Sequence, residues 1–285
     1  MRRTDMKMAA GLAVAMLATA VFAAPPDVPE VRDAVPGHPG VTYLDLLRQA
    51  IPGLAENPAD KNIEGHLARL RHLAGPKFAG DPPDPVTMDL VEDVRFKAGG
   101  RPRIAILADL GQAQDSTRGT AILAIFDDAP KPKLLDAADV ALDMNTSLDR
   151  VAKLALAPGD DALVTYSEHF NSNQAYGARL LAFLRGDKLR LIGVRTTFND
   201  HACGFDRKED PTFTARPDPG APYAGIDVVV AERLTRTGED CGDQQVPRAY
   251  ARTWRGGWRW NAAKARYEAI GGDLDRLDKL NEARF

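Results

Sequence analysis

From Met88 onward the chain is a series of short apolar runs with alternating polarity, each closed by a turn signal. The turn signals are rich in glycine, aspartate and proline, as at Gly99-Gly100 and Gly186-Asp187. A period of two predicts strands, and strands joined by two to five residues must be antiparallel. No long helical pattern separates them, which argues against a parallel sheet. The predicted strands are 88–97, 103–109, 120–127, 132–142, 150–156, 161–168, 177–185, 188–198, 224–234, 247–255 and 257–269.

Three stretches repeat one plan, in which a strand ending in an acidic residue is followed by a hairpin. They are 103–140, 161–194 and 226–263, with Asp109, Glu168 and Glu232 at the strand ends. Repeated meanders build propeller blades and stacked sheets. The sequence therefore predicts a mainly β fold of antiparallel meander repeats, propeller-like, curved-sheet or sandwich. A small N-terminal helical segment and a short C-terminal helix complete the predicted fold.

Residues 1–23 have the pattern of a signal peptide, with Arg2, Arg3 and Lys7 followed by an apolar run that ends in Val21-Phe22-Ala23. Cleavage after Ala23 predicts a periplasmic or secreted protein. The apolar run is shorter than the roughly 20 residues that span a bilayer, so no membrane span is expected after cleavage. Retention as an N-terminal anchor is the alternative.

Removal of the signal peptide leaves 262 of the 285 residues. The removed segment carries three basic residues and one acidic residue, so the net charge changes from −3 to −5. A mildly acidic surface of this kind indicates no partner among nucleic acids or anionic lipids.

The remaining chain divides by composition into three parts. Residues 24–40 form a Pro-rich linker, 41–80 a helical segment, and 86–285 the β-rich domain with its three modules. Thr42 is predicted to cap a first helix, and a second helix is predicted over 61–73. A closing helix is predicted after residue 270, with Leu274, Leu277 and Leu280 on one side.

Two cysteines, Cys203 and Cys241, lie in polar stretches, and in an oxidising compartment a lone pair forms a disulfide. The alternative is a metal site that adds His201, but paired CxxC spacing and a fourth ligand are missing. We therefore expect a disulfide and no metal or cofactor.

The three repeated acids offer one candidate site. If the modules are related by a pseudo-rotation, Asp109, Glu168 and Glu232 converge and bind a cation or a basic ligand. The alternative is that carboxylates stand at strand ends because they tolerate water.

The stretch 168–174 is the densest polar cluster, with Glu168, His169, Asn171 and Asn173. It contains a candidate general base, His169, but a hydrolase also needs a nucleophile or a metal-bound water beside such a group. The chain has no G-x-S-x-G, H-E-x-x-H or S-x-x-K motif to supply one. We expect these residues to bind a ligand rather than to catalyse a reaction.

Three tryptophans, Trp254, Trp258 and Trp260, form a second cluster. A hairpin turning on Gly256-Gly257 places Trp258 and Trp260 on one face and Trp254 on the other. The tryptophans on these faces either pack in the core or form an exposed aromatic strip that binds carbohydrate or peptide.

Together these patterns predict an exported, non-catalytic, β-rich binding or envelope-associated protein, whose partner is an unknown ligand or envelope protein. The alternative is a hydrolase that acts on an envelope polymer through 168–174. A third possibility is a purely structural partner of another envelope protein.

Overall fold

The computed structural model describes residues 28–68, 70–114 and 116–284, so the predicted signal peptide lies outside the described residues. Across these ranges the chain is mainly β, with two α-helices, neither of which is long and apolar enough to cross a bilayer. The elements are α1 (Tyr43–Leu47), β1 (Ala55–Glu56), β2 (Ile63–Gly65), a 3-10 turn (Pro76–Phe78), β3 (Val86–Met88), β4 (Glu92–Ala98), β5 (Arg101–Gln112), β6 (Gly119–Asp127), β7 (Leu134–Asp139), β8 (Asn145–Ala157), β9 (Asp160–Asn171), β10 (Gln174–Arg185), β11 (Lys188–Ala202), β12 (Phe205–Arg216), β13 (Gly225–Arg236), β14 (Tyr250–Asn261), β15 (Arg266–Ile270) and α2 (Asp273–Glu282).

Three four-stranded antiparallel meanders make up most of the molecule. Strands β4–β7 form one sheet, and β8–β15 form an eight-stranded sheet in sequence order. Within that sheet, β11 and β12 pair only through residues 200–202 and 205–207, so the sheet divides into β8–β11 and β12–β15. We call β4–β7, β8–β11 and β12–β15 the first, second and third meanders. The predicted fold class is confirmed. The first two predicted modules each correspond to the last three strands of a meander, whereas the third, 226–263, covers only β13 and β14.

The first meander is buried on both faces, which explains the unbroken apolar runs of its central strands. In β5, Ala105 and Leu107 face the second meander and pack with Leu163 and Leu180. The alternate residues, such as Ile106, face the N-terminal segment on the other side. Two distinct cores therefore lie on either side of one sheet.

A third core joins the second and third meanders and is closed by α2. Its largest members come from both meanders and from the helix, where Leu274 and Leu277 are buried as predicted: Phe183, Ile226, Val228, Val230, Trp254, Trp258, Tyr267, Leu274 and Leu277. Thus α2 is part of the core.

The N-terminal segment confirms one predicted helix and corrects the other. Thr42 caps α1 through a capping box with Asp45. The helix predicted over 61–73 is wrong, because Ile63–Gly65 forms β2 between β1 and β3 and no other described residue of that range is helical. Apolar spacing does not distinguish the two outcomes, and here neighbouring strands supply the backbone partners.

The Pro-rich stretch before α1 packs on the domain where it is described. Val31 and Val35 are buried in the core that the N-terminal segment shares with the first meander.

The turn predicted at Gly256-Gly257 is wrong. Strand β14 runs through both glycines and pairs with β13 and β15 in regular register. A Cβ atom at Gly256 would lie 2.8 Å from Leu274 in α2. Glycine is therefore present at this position because another element packs closely on the strand.

Strand β12 was not predicted. Its sequence, FDRKEDPTFTAR, alternates, but it contains Pro211 and is rich in charge, which resembles a loop. Its residues gain their pairing from β13, along the whole length of the strand.

We predict that Gly193→Ala destabilises the protein by about 1–3 kcal/mol, because a Cβ atom at this buried position would overlap the indole ring of Trp258. Urea unfolding measures the loss. A Gly193→Ala/Trp258→Phe variant, which frees space for the methyl group, should lose less than the two single changes together. Full additivity would show that the two residues do not compete for this space.

Candidate functional site

A cleft of about 530 Å³ lies where the N-terminal segment, β5 and the β8–β9 pair meet. Four carboxylates line it, and we call it the acidic cleft: Asp89, Glu92, Asp109 and Glu168. Its lining contains no Lys, Arg or His. None of the four carboxylates forms an ion pair with another residue that the structure describes. The cleft therefore concentrates negative charge without an internal counter-charge.

Backbone amides hold two of these carboxylates in place. Asp109 accepts hydrogen bonds from the amides of Gly111 and Thr146, both at 3.0 Å. Glu92 accepts one from the amide of Leu148, also at 3.0 Å. Because both side chains reach from the first meander to β8, they fasten the second meander to the first. This gives the cleft a rigid wall.

The third wall residue, Glu168, comes from β9 and is half-buried. It accepts a hydrogen bond from the hydroxyl of Tyr166 at 2.8 Å. Burial raises the pKa of Tyr166 to about 12, and the hydrogen bond to Glu168 adds to this effect. Tyr166 is therefore a neutral donor that orients the carboxylate without neutralising its charge.

Burial also raises the pKa of Glu92 above its ordinary value. The amide of Leu148 opposes this shift, and the charge of Asp109 adds to it. Like charges that face one cavity disfavour each other's ionised forms. A cation in the acidic cleft would relieve this repulsion.

The mouth of the acidic cleft is apolar. Val28 is 50 % exposed and Leu90 is 54 % exposed, whereas Met88 and Leu107 form buried wall. Exposed large apolar residues beside a cavity are typical of binding sites.

No three acids of the cleft bring their carboxylate oxygens close enough together to form a metal site. Among the residues that the structure describes, the only cluster of three or more candidate ligand atoms is Cys203, Glu239 and Cys241. The two sulfur atoms of that cluster form a disulfide, as predicted, and so are not available as thiolates. The acidic cleft fits a larger cation better than a bare ion.

The third repeated acid lies elsewhere. Of the convergence that a pseudo-rotation would give, only the shared position of Asp109 and Glu168 on one cleft is observed. Glu232 stands on the third meander, directly opposite Glu209 across the β12–β13 pair. Both side chains are fully buried. Arg284, just beyond α2, approaches Glu232 at 2.8 Å and Glu209 at 3.4 Å. We call these three residues, with Asn281 and Arg207, the buried charge cluster.

The pKa values of the two buried carboxylates are shifted in opposite directions. Burial raises the pKa of Glu209, and the charge of Glu232 raises it further. Hydrogen bonds from donors that include Asn281 oppose this rise. For Glu232 burial acts in the same direction, but hydrogen bonds from Tyr250, Trp254 and Arg284 outweigh it and lower its pKa. This pattern is that of an internal support for α2, since Asn281 in the helix donates to Glu209 and Arg284 just beyond it donates to Glu232.

His169 does not act together with Glu168. The two are adjacent in β9, so their side chains leave opposite faces of the sheet. The Nδ1 atom of His169 lies 2.6 Å from a carboxylate oxygen of Asp143, and its ring stacks on Tyr176. The predicted strands end at 168 and resume at 177, but β9 continues to Asn171 and β10 begins at Gln174. The polar stretch 168–174 is therefore a tight hairpin.

The two predicted asparagines separate as well. Asn171 is exposed at the end of β9, whereas Asn173 lines a smaller cavity beside the β11–β12 turn. Neither residue lines the acidic cleft.

The tryptophans do not form an exposed strip. Because β14 is one continuous strand, Trp254, Trp258 and Trp260 share a face and all pack on the third core. Trp254 and Trp258 are each 7 % exposed. The prediction that Trp254 lies on the opposite face is wrong for the same reason as the predicted turn.

Sequence reasoning missed Asp89 and Glu92. Asp89 follows β3 and Glu92 begins β4, and neither residue belongs to the repeated pattern. The only signal was their position at the start of the β region, in the stretch MDLVEDV. Comparison of the chain with protein-family models, with curated proteins and with solved structures found no match in any of the three.

Proposed function

We propose that this chain is an exported, non-catalytic binding protein that takes an organic cation in the acidic cleft. The observation that carries the proposal is the uncompensated charge of the cleft, where four carboxylates face a cavity whose lining has no basic residue. A cationic ligand gains favourable interaction with each carboxylate and returns the raised pKa of Glu92 toward its ordinary value.

The size and the rim of the cleft favour an amine or guanidinium group on an apolar body. A volume of about 530 Å³ is within the range of small-molecule sites. Val28 and Leu90 at the mouth offer apolar surface to the rest of the ligand. Linear polyamines, alkylamines and basic peptide side chains share this chemistry.

The hydrolase alternative gains no support from the geometry. It requires Glu168 and His169 to share one cleft, and they leave opposite faces of β9. His169 is engaged by Asp143 and Tyr176. A binding function needs no such pairing.

Binding of spermidine and of hexylamine, measured by calorimetry at low salt, tests the proposal. We expect Glu168→Gln to weaken binding about tenfold, which corresponds to about 1.4 kcal/mol. Affinity should fall as salt rises, because the contact is electrostatic. It should also fall as the pH drops through the raised pKa of Glu92, since protonation removes a charge that the ligand needs.

Glu282→Gln is the matched control, because it removes one carboxylate from an exposed position in α2. It should bind like the unchanged protein. Absence of binding by both amines, or equal affinity in Glu168→Gln, would refute the assignment of this cleft.

Export is supported by the disulfide and by the signal pattern of 1–23. Expression of the full chain in a bacterial host, followed by fractionation and N-terminal sequencing, tests it. We expect a processed protein beginning at Ala24 in the periplasm or medium.

A further inference from the structure

A cavity of about 370 Å³ lies between the second and third meanders. Its walls come from β8, β9 and β10 on one side and from β12 on the other. Strands β11 and β12 pair only next to the turn that joins them, so residues 210–213 of β12 have no strand partner on this side. We call this space the inter-meander cavity.

The strand register aims side chains from both meanders into the inter-meander cavity. Tyr166 pairs directly with Arg179, so the two side chains share one face of the second meander. Val164, two residues earlier in β9, lies on that same face and is buried in the third core. On the other side, Phe213 pairs with Val228, which belongs to the same core. The two sets of side chains therefore face each other across the cavity.

The guanidinium of Arg179 is held in place but only partly used. Its Nε atom donates to Asp149 at 2.7 Å, and the group stacks 4.5 Å above the ring of Tyr166. The side chain is 18 % exposed. Its two Nη atoms have no hydrogen-bond partner among the described residues, and neither is sealed from solvent. Two such donors, side by side on a fixed plane, match the two oxygens of a carboxylate.

The carboxylates of this region do not compete for those donors. The second oxygen of Asp149 accepts from the amide of Val151 at 2.9 Å. Asp210 is exposed and lies three residues before Phe213, so it belongs to the opposite face of β12. Arg150 lines the cavity, is exposed and forms no ion pair with a described residue. It adds positive charge where the cavity opens to solvent.

From this arrangement we propose that the inter-meander cavity binds an organic carboxylate with an apolar body. The Nη atoms of Arg179 donate to the carboxylate, and Leu154, Val164 and Phe213 provide apolar wall for the rest of the molecule. The volume of about 370 Å³ is within the range of small-molecule sites. The inference does not depend on the acidic cleft, whose ligand carries the opposite charge.

Titration of the full chain with hexanoate and with benzoate, at constant ionic strength, tests the inference. Calorimetry gives the affinities, and NMR spectra of methyl-labelled protein locate the ligand through the signals of Leu154 and Val164. We expect at least one carboxylate to bind and to shift both signals. Hexanol has the same chain without the charge, and acetate has the same charge without the body. Each should bind about tenfold more weakly or less, because it lacks one half of the recognition.

The variant Arg179→Lys tests the anchor. Lysine keeps the positive charge beside Asp149 but lacks the paired donors, so the affinity for the carboxylate should fall about fivefold or more. Arg190→Gln is the matched control, because it removes an exposed arginine from β11. It should bind like the unchanged protein.

A second variant changes the cavity without touching the packing. Val151 is 48 % exposed at the mouth, and Val151→Asp should weaken binding because it repels the carboxylate. Ala263→Asp adds the same charge at an exposed position in the β14–β15 turn and should have no effect.

A response to hexanoate alone or to benzoate alone identifies the shape of the body and supports the site. No binding by either carboxylate, or equal affinity for hexanoate and hexanol, would overturn it. So would equal affinity in Arg179→Lys and Arg190→Gln, or in Val151→Asp and Ala263→Asp.

Discussion

Replacement of Arg284 by glutamine should destabilise the protein by about 3–5 kcal/mol. Glu209 and Glu232 face each other directly across two paired strands, and like charges in that position repel. Both are fully buried, so water does not screen them. Arg284 contacts both, and its loss leaves Glu232 ionised in the interior with only neutral donors. Urea unfolding at neutral pH measures the change.

Lys279→Gln provides the control, since it removes one positive charge from an exposed position of the same helix. Its cost should stay below about 0.5 kcal/mol. The double variant Arg284→Gln/Glu232→Gln should recover part of the loss, because it no longer buries an unpaired charge at that site. If Arg284→Gln proves no worse than Lys279→Gln, the buried charge cluster does not hold α2.

The second large effect concerns the disulfide. A Cys203→Ser/Cys241→Ser variant should lose about 4 kcal/mol of unfolding free energy, because the bond closes a segment of 38 residues and restricts the unfolded chain. Hydrogen bonds already bring the two ends together, from Thr237 to the carbonyl of Gly204 and from the amide of Gly204 to Glu239. The folded structure should therefore survive the substitution, with a lower urea midpoint.

A reducing agent separates this effect from any cost of serine itself. Reduction should lower the midpoint of the unchanged protein to that of the double variant and leave the variant unaffected. A loss below about 1 kcal/mol would show that the surrounding contacts order the segment without help from the covalent bond.

The sequence predicted the meanders well because turn chemistry and alternation are local. At Gly186-Asp187 both residues adopt positive φ, as a two-residue hairpin turn requires, and the flanking strands follow. The same reasoning failed at Gly256-Gly257, where the glycines serve the approach of α2 to the strand. It failed again at β12, whose pairing depends on a strand farther along the chain. Local patterns do not record which distant element approaches a residue.

The candidate site was predictable only in part for a similar reason. The repeat drew attention to Asp109 and Glu168, and the structure places both on one cleft. Glu92 completes it from a strand outside the repeat, and Glu232 departs because α2 covers that end of the third meander. Arg207 is buried over the ring of Phe198 beside Glu209 and Arg284, and its sequence context, DRKED, resembles an exposed charged loop.

The strand order has a consequence for how the chain is made. Each of the twelve strands β4 to β15 pairs with its neighbours in sequence, apart from the break between β7 and β8. During synthesis, one meander has all of its own pairing partners before the next is complete, so ordering advances along the chain without waiting for distant segments. The exception is the carboxylate pair Glu209 and Glu232, which stays without its arginine until residue 284 has been added. Ribosome-bound chains that stop short of α2 should therefore display two ordered meanders and an incomplete third.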